Sequence, residues 1–437
     1  MIAEFSFKNF LSIRTEQCLS FEATSDDFKE DEYCVKMKNG TRLLKIAMLY
    51  GTNASGKTNV LAAISTFRDL MLDVPKDKNQ EIKITPFLLD DISSKEKTEF
   101  RMTFYIEEER YVLTLSLDEK KIYSESLIYY PSVQPAKLYE RIYDEETDSS
   151  DISFGSKLGL NKKDKQTIAG NTINNCSVMA AFGKANVEYS KLNLVYDFLS
   201  KEIADILEPR TSLLSYTKQQ LDKKSDAGLK DFIVNFLKAS DFNICDIELK
   251  EEEMIITPEM EKLIQASPFP KETKKDLLQK GVITNTELLF VHRTENGDYC
   301  LPKDFESQGT LRFMGLAAIL RLLLQKKKIV CIDEIESSLH FELLSYFIKV
   351  FLANDNKGSQ LIMSTHDINL LNEEFIRRDA VWFTDKNNQG ETLLSRLSAL
   401  GLHKNLSPYH AYKQGKLVQL PFLGSVYLND ENLCEVQ

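Results

Sequence analysis

The sequence predicts an α/β protein built around a parallel sheet, because three short apolar segments each run into polar residues. Ile46–Tyr50 precedes a glycine-rich loop, Lys328–Ile332 is followed by two carboxylates, and residues 360–364 end two positions before His366. Continuous apolar runs of this length are typical of strands that are buried on both faces of a parallel sheet. The carboxyl ends of such strands share one edge, where ligands bind.

The glycine-rich loop, Gly51–Thr58, fits the P-loop pattern G-x-x-x-x-G-K-[ST] at every fixed position. Its two glycines let successive N–H groups converge on phosphate oxygens, and the helix that follows offers its positive N-terminus. Lys57 is expected to reach the β- and γ-phosphates, and Thr58 to bind Mg²⁺. A glycine turn that binds nothing is the less favoured alternative, given the strand before and the helix pattern after. The predicted nucleotide contacts are Gly51, Asn53, Ala54, Ser55, Gly56, Lys57, Thr58 and Asn59.

Composition narrows the class of protein. A length of 437 residues with 43% hydrophobic residues suggests two or three domains and a large core. The chain has no run of eighteen apolar residues and no signal-like start, so a cytoplasmic protein without a membrane partner is expected. Seven scattered cysteines suggest neither a disulfide framework nor a zinc site. The net charge of −11 disfavours DNA binding but leaves it open.

Three regions are expected along the chain. Residues 1–150 form an N-terminal ATPase lobe, in which two strands within 1–23 and a polar loop over 24–39 precede the P-loop. An antiparallel β-subdomain follows, and Asp144–Lys165 reads as a mobile connection. The strands predicted for this subdomain are Ile82–Ile84, Phe100–Tyr105, Tyr111–Leu117 and Leu127–Tyr130.

Residues 151–283 are predicted to be a mainly helical insertion, because apolar residues recur there at helical spacing. Lys218, Lys223 and Lys224 form a basic cluster within it that is more often a solvated face than a nucleic-acid contact. Residues 284–437 return to strand-like sequence and form the C-terminal ATPase lobe.

The C-terminal lobe carries the second half of the predicted chemistry. Asp333 is expected to hold Mg²⁺ through water, and Glu334 to accept a proton from the attacking water or to orient it. His366 is expected to face the γ-phosphate, although a lone histidine is usually structural. Upstream, Ser307 and Gly309 precede a buried helix and form a second anion site. The P-loop and this second anion site are not expected to bind the same phosphate within one chain.

These residues together resemble the ABC-type ATPases, the clan that includes the RecF, SMC, Rad50 and OLD-like proteins. The order of the motifs carries the resemblance: FKNF, GTNASGKT, ESQGT, CIDEIESSLH and MSTHD. A narrower resemblance is to the AAA-type ATPases of bacterial abortive-infection and anti-phage systems, such as the ATPase component of PARIS-type systems. It is carried by TPFLL, ESLIYYP, LYER, SQGTLR and a tail with Tyr412, Gly415 and Pro421.

The resemblance implies a head-to-tail ATP sandwich with Mg²⁺ as cofactor. Ser307 and Gly309 of one protomer would close on the nucleotide held by the P-loop of another, and Ser337 in the D-loop would lie at the dimer seam. A higher oligomer is compatible with this arrangement. Two departures from the pattern are Gln308, where transporters usually carry glycine, and the lack of an evident Q-loop glutamine, for which Gln80 is the nearest candidate.

The resemblance also implies a function in defence. The protein would be a slow ATPase that senses infection through a phage-encoded trigger and controls a separate Toprim-like or other nuclease or toxin effector. Only about seventy residues follow His366, which is too short for a nuclease domain of its own. Three alternatives stay open: a RecF- or SMC-like ATPase that clamps DNA, a transporter subunit, and a scaffold that binds ATP but scarcely hydrolyses it.

Overall fold

The computed structural model describes residues 1–222, 226–268, 270–354, 356–403 and 406–420. These described residues form two compact units, of which the first lies within residues 1–210, 323–337 and 348–420, and the second within residues 211–322 and 338–347. Lys223, Lys224 and Pro421 of the predicted motifs lie outside the described residues. No helix in the described ranges is long and apolar enough to cross a membrane.

The strands in the described ranges are mostly short, apart from the two long strands Ile244–Ile255 and Val282–Thr294, and they lie in four sheets. In chain order they are β1 (Ile2–Lys8), β2 (Gln17–Ser20), β3 (Cys34–Lys36), β4 (Arg42–Leu44), β5 (Ile46–Tyr50), β6 (Thr98–Ile106), β7 (Glu109–Leu117), β8 (Ile122–Tyr130), β9 (Ala136–Asp144), β10 (Ser149–Phe154), β11 (Ile244–Ile255), β12 (Val282–Thr294), β13 (Gly297–Pro302), β14 (Ile329–Ile332), β15 (Gln360–Ser364), β16 (Val381–Lys386) and β17 (Thr392–Arg396).

The helices fall mainly in the middle of the chain and around the predicted motifs. They are α1 (Glu30–Tyr33), α2 (Lys57–Leu72), α3 (Lys162–Asn171), α4 (Val178–Lys184), α5 (Ser190–Asp197), α6 (Leu213–Asp222), α7 (Leu229–Ala239), α8 (Pro258–Ala266), α9 (Lys271–Lys280), α10 (Gln308–Gln325), α11 (Phe341–Ala353) and α12 (Pro408–Lys413).

The first unit contains the predicted parallel sheet. Its strand order is β14-β15-β5-β16-β17, and the first four strands run parallel while β17 pairs antiparallel with β16. Every residue of β5, β14 and β15 is buried, as expected for central strands of a parallel sheet. The three apolar segments therefore end at one edge of the same sheet.

A seven-stranded antiparallel sheet of order β10-β9-β8-β7-β6-β1-β2 forms the predicted β-subdomain, so the α/β fold class with an antiparallel subdomain is confirmed. Some boundaries were wrong. Ile82–Ile84 is not a strand, and the connection expected over Asp144–Lys165 contains β10 and the start of α3. The polar loop expected over residues 24–39 contains α1 and β3.

Aromatic packing joins α2 to the antiparallel sheet. The rings of Phe5 and Phe100 stack with centroids 6.0 Å apart, and Phe67 of α2 lies 5.5 Å from Phe5 and 5.7 Å from Phe100. All three side chains are buried. Because α2 begins at the end of the P-loop, this contact fixes the direction in which the loop presents its backbone.

The second unit combines the antiparallel sheet β11-β12-β13 with helices. Phe236 of α7 stacks on Phe313 of α10 with centroids 4.8 Å apart, and Phe242 stacks on Phe313 at 5.5 Å. The twelve-residue strand β11 was not predicted within the insertion. The boundaries at residues 150/151 and 283/284 stay a prediction about domain organisation.

Candidate functional site

The P-loop curls tightly against strands β16 and β17. A Cβ atom at Gly51 would overlap the hydroxyl group of Thr384, and one at Gly56 would overlap that of Thr392. Gly56 also adopts a φ of +105°, a backbone angle that residues with a side chain rarely adopt. Ala54 sits in the left-handed region at φ 60°. Both motif glycines are thus required by their neighbours, and the loop leaves a backbone cradle of the kind that receives phosphate.

Hydroxyl groups from distant parts of the chain support this cradle. Ser55 Oγ bonds with Thr384 Oγ1 at 2.6 Å, and Thr392 Oγ1 donates to the carbonyl oxygen of Ser55 at 2.9 Å. The Asn59 amide donates to Ser12 Oγ at 2.6 Å, and Ser12 bonds with Thr392 at 2.7 Å. The side chains of Ser55 and Asn59, predicted as nucleotide contacts, are therefore engaged in supporting the loop.

The Lys57 ammonium group is held inside the loop. Its Nζ donates to the carbonyl oxygens of Gly51 at 3.0 Å and Thr52 at 3.2 Å. Burial lowers the pKa of Lys57, while the charges of Asp333, Glu336 and Glu334 act in the opposite direction. Among the described residues no carboxylate lies within ion-pair distance of Nζ. A cation held only by carbonyl oxygens in a backbone cradle fits a phosphate ligand.

Thr58 and Asp333 meet at the edge of the parallel sheet. Thr58 Oγ1 donates to Asp333 Oδ2 at 2.7 Å. The other carboxylate oxygen, Oδ1, accepts a hydrogen bond from Ser364 Oγ, which in turn accepts from the backbone N–H of Glu334 at 2.8 Å. Oxygen atoms of a hydroxyl group and a carboxylate are the ligands that Mg²⁺ prefers. The residues present therefore fit the predicted Mg²⁺ site.

Glu334 and His366 lie next to this pair. His366 Nε2 is 3.8 Å from Glu334 Oε1, and both side chains are partly exposed. Glu334 adopts φ 44°, a left-handed conformation that is uncommon for a non-glycine residue and clusters at functional sites. The backbone N–H of His366 donates to Glu336 Oε1 at 2.6 Å. Both predicted catalytic side chains thus reach the edge that carries the P-loop.

The remaining predicted residues belong to turns and to the second unit. The N–H of Ser337 donates to the carbonyl oxygen of Glu334 at 2.9 Å. Ser307 caps α10, since its Oγ accepts from the N–H of Thr310 at 3.0 Å. A Cβ at Gly309 would lie 2.7 Å from the carbonyl oxygen of Ser338. Ser307 and Gly309 are part of the second unit, whereas the P-loop is part of the first.

Several supporting residues were missed at the sequence level. Ser12, Thr384 and Thr392 belong to no sequence motif. Their supporting contacts become visible only in the folded chain, where the strands bring them close to the P-loop. Ser364 and Glu336 lie within the motifs MSTHD and CIDEIESSLH, but neither motif pattern predicts a role for them. Gln80, the nearest Q-loop candidate, accepts from the N–H of Lys76 at 2.8 Å within its own loop.

Two solved structures illustrate the likeness of this chain to known folds. The SMC head domain from Thermotoga maritima is 13% identical, with a TM-score of 0.40 over 90% of this chain and 98% of that chain. An Smc head domain from Pyrococcus furiosus, bound to the C-terminal domain of ScpA, is 11% identical, with a TM-score of 0.37 over 94% and 98%.

A family model supplies the decisive comparison. No curated protein was found to match the chain. The model of the family described as "AAA domain, putative AbiEii toxin, Type IV TA system" matches residues 46–372. This range spans the P-loop, the Asp333–Glu334 pair and His366, and it covers well over half of the chain. The expected resemblance to P-loop ATPases is confirmed, and the chain belongs to this family of AbiEii toxin-type AAA domains.

Proposed function

We propose that this protein binds ATP with Mg²⁺ at the P-loop and hydrolyses it slowly. The observation that carries the proposal is the hydrogen bond of 2.7 Å between Thr58 Oγ1 and Asp333 Oδ2, because it joins the two motifs that a nucleotide-bound Mg²⁺ needs. Glu334 and His366 lie at the same sheet edge, 3.8 Å apart.

Each residue of the site has a proposed role. The P-loop N–H groups and the Lys57 ammonium would bind the phosphates, and Thr58 and Asp333 would hold Mg²⁺. In the proposed reaction the oxygen of water bonds to the γ-phosphorus while the bond from that phosphorus to the β,γ-bridging oxygen breaks, which releases ADP and phosphate. The Glu334 carboxylate accepts the proton of that water, and the His366 imidazole contacts the phosphoryl oxygens.

The site is proposed to be completed by a second copy of the chain. Ser307 and Gly309 stand at the N-terminus of α10, an eighteen-residue helix whose first N–H groups favour an anion. In a head-to-tail pair, these residues of one protomer close on the nucleotide bound by the other, and Ser337 lies at the seam. ATP then holds the pair together until Glu334 assists hydrolysis.

The biological role we propose is in bacterial anti-phage defence. The family description names a toxin of a type IV TA system, which supports a setting in which an ATPase governs a toxic activity. In this proposal the oligomer is cytoplasmic, senses a phage-encoded trigger, and controls a separate nuclease or toxin. A neighbouring gene for such an effector would support the role, and neighbouring recombination genes would contradict it.

DNA clamping is the rival function, and net charge weighs against it. The sequence carries 66 acidic and 55 basic side chains. A DNA clamp would bind duplex DNA with a steep dependence on salt, because binding to phosphates releases counterions. Filter binding at two ionic strengths tests this: salt-sensitive binding, together with ATPase activity that DNA stimulates, would favour the clamp over control of an effector.

The nucleotide site itself is tested by Lys57→Ala. Loss of a charge-assisted bond to phosphate is expected to weaken ATP binding by about a hundredfold. Calorimetric titration with ATP and Mg²⁺ measures this, and Glu374→Ala, which removes an exposed charge in the same unit, serves as the control. Wild-type affinity in the Lys57 variant would show that the P-loop is not the ATP site.

Glu334→Gln tests the coupling of hydrolysis to assembly. The variant keeps the P-loop intact but cannot accept a proton, so ATP should stay bound and hold the closed assembly. Size-exclusion chromatography with and without ATP should show a larger species that persists only in this variant. An oligomer distribution that does not respond to ATP would contradict the proposed sandwich.

A further inference from the structure

We infer that Glu336 is a positioning residue that sets the His366 imidazole against Glu334. This inference rests on the proposed ATPase function and adds to it a residue for which the sequence predicted no role. Two observations support the inference. The His366 backbone N–H donates a hydrogen bond of 2.6 Å to Glu336 Oε1, and the other carboxylate oxygen, Oε2, is buried without a hydrogen-bond partner among the described residues.

The ends of β14 and β15 are joined by a short series of polar contacts. Ser364 Oγ donates to the Asp333 carboxylate and accepts from the N–H of Glu334 at 2.8 Å. The N–H of Ile335 donates to the carbonyl oxygen of Ser364 at 3.2 Å. The hydrogen bond from the His366 N–H to Glu336 Oε1 belongs to the same series, and it is the contact that holds the backbone of the residue with the imidazole.

The bond acts on the backbone at the point where β15 has ended. β15 stops at Ser364, so the sheet no longer restrains residue 366 through strand pairing. A carboxylate that receives the His366 N–H restores this restraint. The side chain it orients is the one that lies 3.8 Å from Glu334. Glu336 thus acts on the catalytic pair through His366 rather than by touching the reacting atoms.

The second carboxylate oxygen argues against a role in packing alone. Glu336 Oε2 is buried and has no hydrogen-bond partner among the described residues. A buried carboxylate oxygen without a protein partner is costly, so packing alone does not account for a glutamate at this position. Glu336 is also one of the negative charges that act on the Lys57 ammonium. Glu336 therefore contributes negative charge to the P-loop lysine as well as a hydrogen bond to the segment that bears His366.

Glu336 also connects the catalytic pair with the proposed dimer seam. It immediately precedes Ser337, whose N–H is bonded to the carbonyl oxygen of Glu334 at 2.9 Å. A displacement of the chain at Ser337 would move the carboxylate that holds His366. Closure of the seam and placement of the imidazole are thereby linked through one side chain.

Two neutral variants of similar length separate the hydrogen bond from the charge. Glu336→Gln keeps an oxygen that can accept from the His366 N–H, whereas Glu336→Met removes the acceptor. We expect Glu336→Met to lower kcat by about 10- to 100-fold with ATP affinity little changed, because a misplaced catalytic group costs this much. Glu336→Gln should stay within about threefold of the wild-type kcat.

Hydrogen exchange gives a readout that needs no turnover. In the full-length protein without nucleotide, the amide of His366 should exchange faster in Glu336→Met than in the wild type, while Glu336→Gln should keep its protection. Glu374→Ala, an exposed carboxylate of the same unit, should change neither exchange nor kcat.

The outcomes separate this inference from the proposed function. The positioning role would be overturned if the Gln and Met variants both kept the kcat and the His366 exchange rate of the wild type. It would also be overturned if both variants lost kcat to the same extent, since the lost negative charge, and not the hydrogen bond, would then be what matters. A wild-type protein without ATPase activity would overturn the proposed function, yet the exchange comparison would still decide whether Glu336 holds His366.

Discussion

The Asp333 carboxylate is held from two sides by hydroxyl groups. Thr58 donates to Oδ2 at 2.7 Å, and Ser364 donates to Oδ1. Ser364 is completely buried, and its Oγ also accepts from the N–H of Glu334 at 2.8 Å. One serine therefore orients the proposed Mg²⁺ ligand and the backbone of the proposed general base together.

Ser364→Ala should weaken the response to Mg²⁺. Without the hydroxyl group, Asp333 loses one of its two partners, and residues that orient a metal ligand typically contribute 10- to 100-fold to metal affinity. We expect the Mg²⁺ concentration for half-maximal ATPase activity to rise by about tenfold. Ser65→Ala is the control, because that hydroxyl bonds to the Ala62 carbonyl oxygen of its own helix and, among the described residues, does not contact the site. An unchanged Mg²⁺ dependence would exclude the role of Ser364.

At this scale the sequence predicts the motif residues but not their supports. The spacing of the P-loop identifies Lys57 and Thr58, and an apolar strand followed by two carboxylates identifies Asp333. Ser12 and Thr392 form a bonded pair although 380 residues separate them. No local pattern marks such a pair, because only the folded sheets bring the two residues together.

The segment before β3 is held by a buried ion pair from the far end of the chain. Arg377 donates to Asp379 at 2.9 and 2.7 Å, and both side chains are almost completely buried. Asp379 also accepts from the N–H of Thr24 at 2.9 Å. Arg377 donates further to the carbonyl oxygens of Asp26, at 3.0 Å, and Phe28. This polar segment is thus anchored rather than free.

Asp379→Asn should destabilise the first unit strongly. Removing one partner leaves the Arg377 charge buried and unpaired, which typically costs about 3–5 kcal/mol in the free energy of unfolding. Urea denaturation at pH 7 measures the loss. Asp27→Asn, an exposed carboxylate in the same segment, should have little effect. A loss below about 1 kcal/mol would show that the pair does not anchor the segment.

The stability that the Asp379 carboxylate contributes is expected to depend on pH. Burial alone would raise the pKa of Asp379, but hydrogen bonds from Arg377 and Thr24 bring it below the ordinary value of 3.8. The carboxylate therefore contributes stability that is fully present above pH 3.8 and is lost as the pH falls through the folded-state pKa. The stability difference between wild type and variant should accordingly shrink only in that acidic range.

Elements were predictable where local pattern and tertiary role agree. Ile46–Tyr50 is the strand β5 that the apolar run predicts. Ile82 and Ile84 are also apolar and buried. The N–H of Ile82 donates to the carbonyl oxygen of Glu119, whereas the N–H of Ile84 donates to the carbonyl oxygen of Ile82 in the same segment, so no β-ladder forms. The strand β10 was missed because its residues are mainly polar and exposed, and pairing with β9 alone defines it.

At the scale of the whole molecule, the two proposed halves of the ATP site belong to different compact units. The first unit carries the P-loop with Asp333, Glu334 and His366, and the second carries Ser307 and Gly309. Motif order predicts both halves, but it cannot predict how many copies assemble, since assembly depends on complementary surfaces that no local pattern encodes. The composite site must therefore be tested by assembly.

Mixing two inactive variants tests whether the site is shared between protomers. Lys57→Ala damages the P-loop half, and Ser307→Arg places a bulky charged side chain in the half that is proposed to close on the partner's nucleotide. A mixed head-to-tail dimer has one doubly damaged site and one intact site. With random pairing, an equal mixture should recover about a quarter of the wild-type ATPase activity, because half of the dimers are mixed and each has one intact site of two.

The matched control for this experiment pairs Lys57→Ala with Glu334→Gln. Both residues lie in the first unit and are proposed to act on the same nucleotide from the same chain. Every site in a mixed dimer then carries one of the two defects, so no activity should return. Recovery with Ser307→Arg but not with Glu334→Gln identifies two chains as the source of one site. Recovery in neither mixture, despite normal folding of each variant, would contradict the composite site and leave hydrolysis to the residues of a single chain.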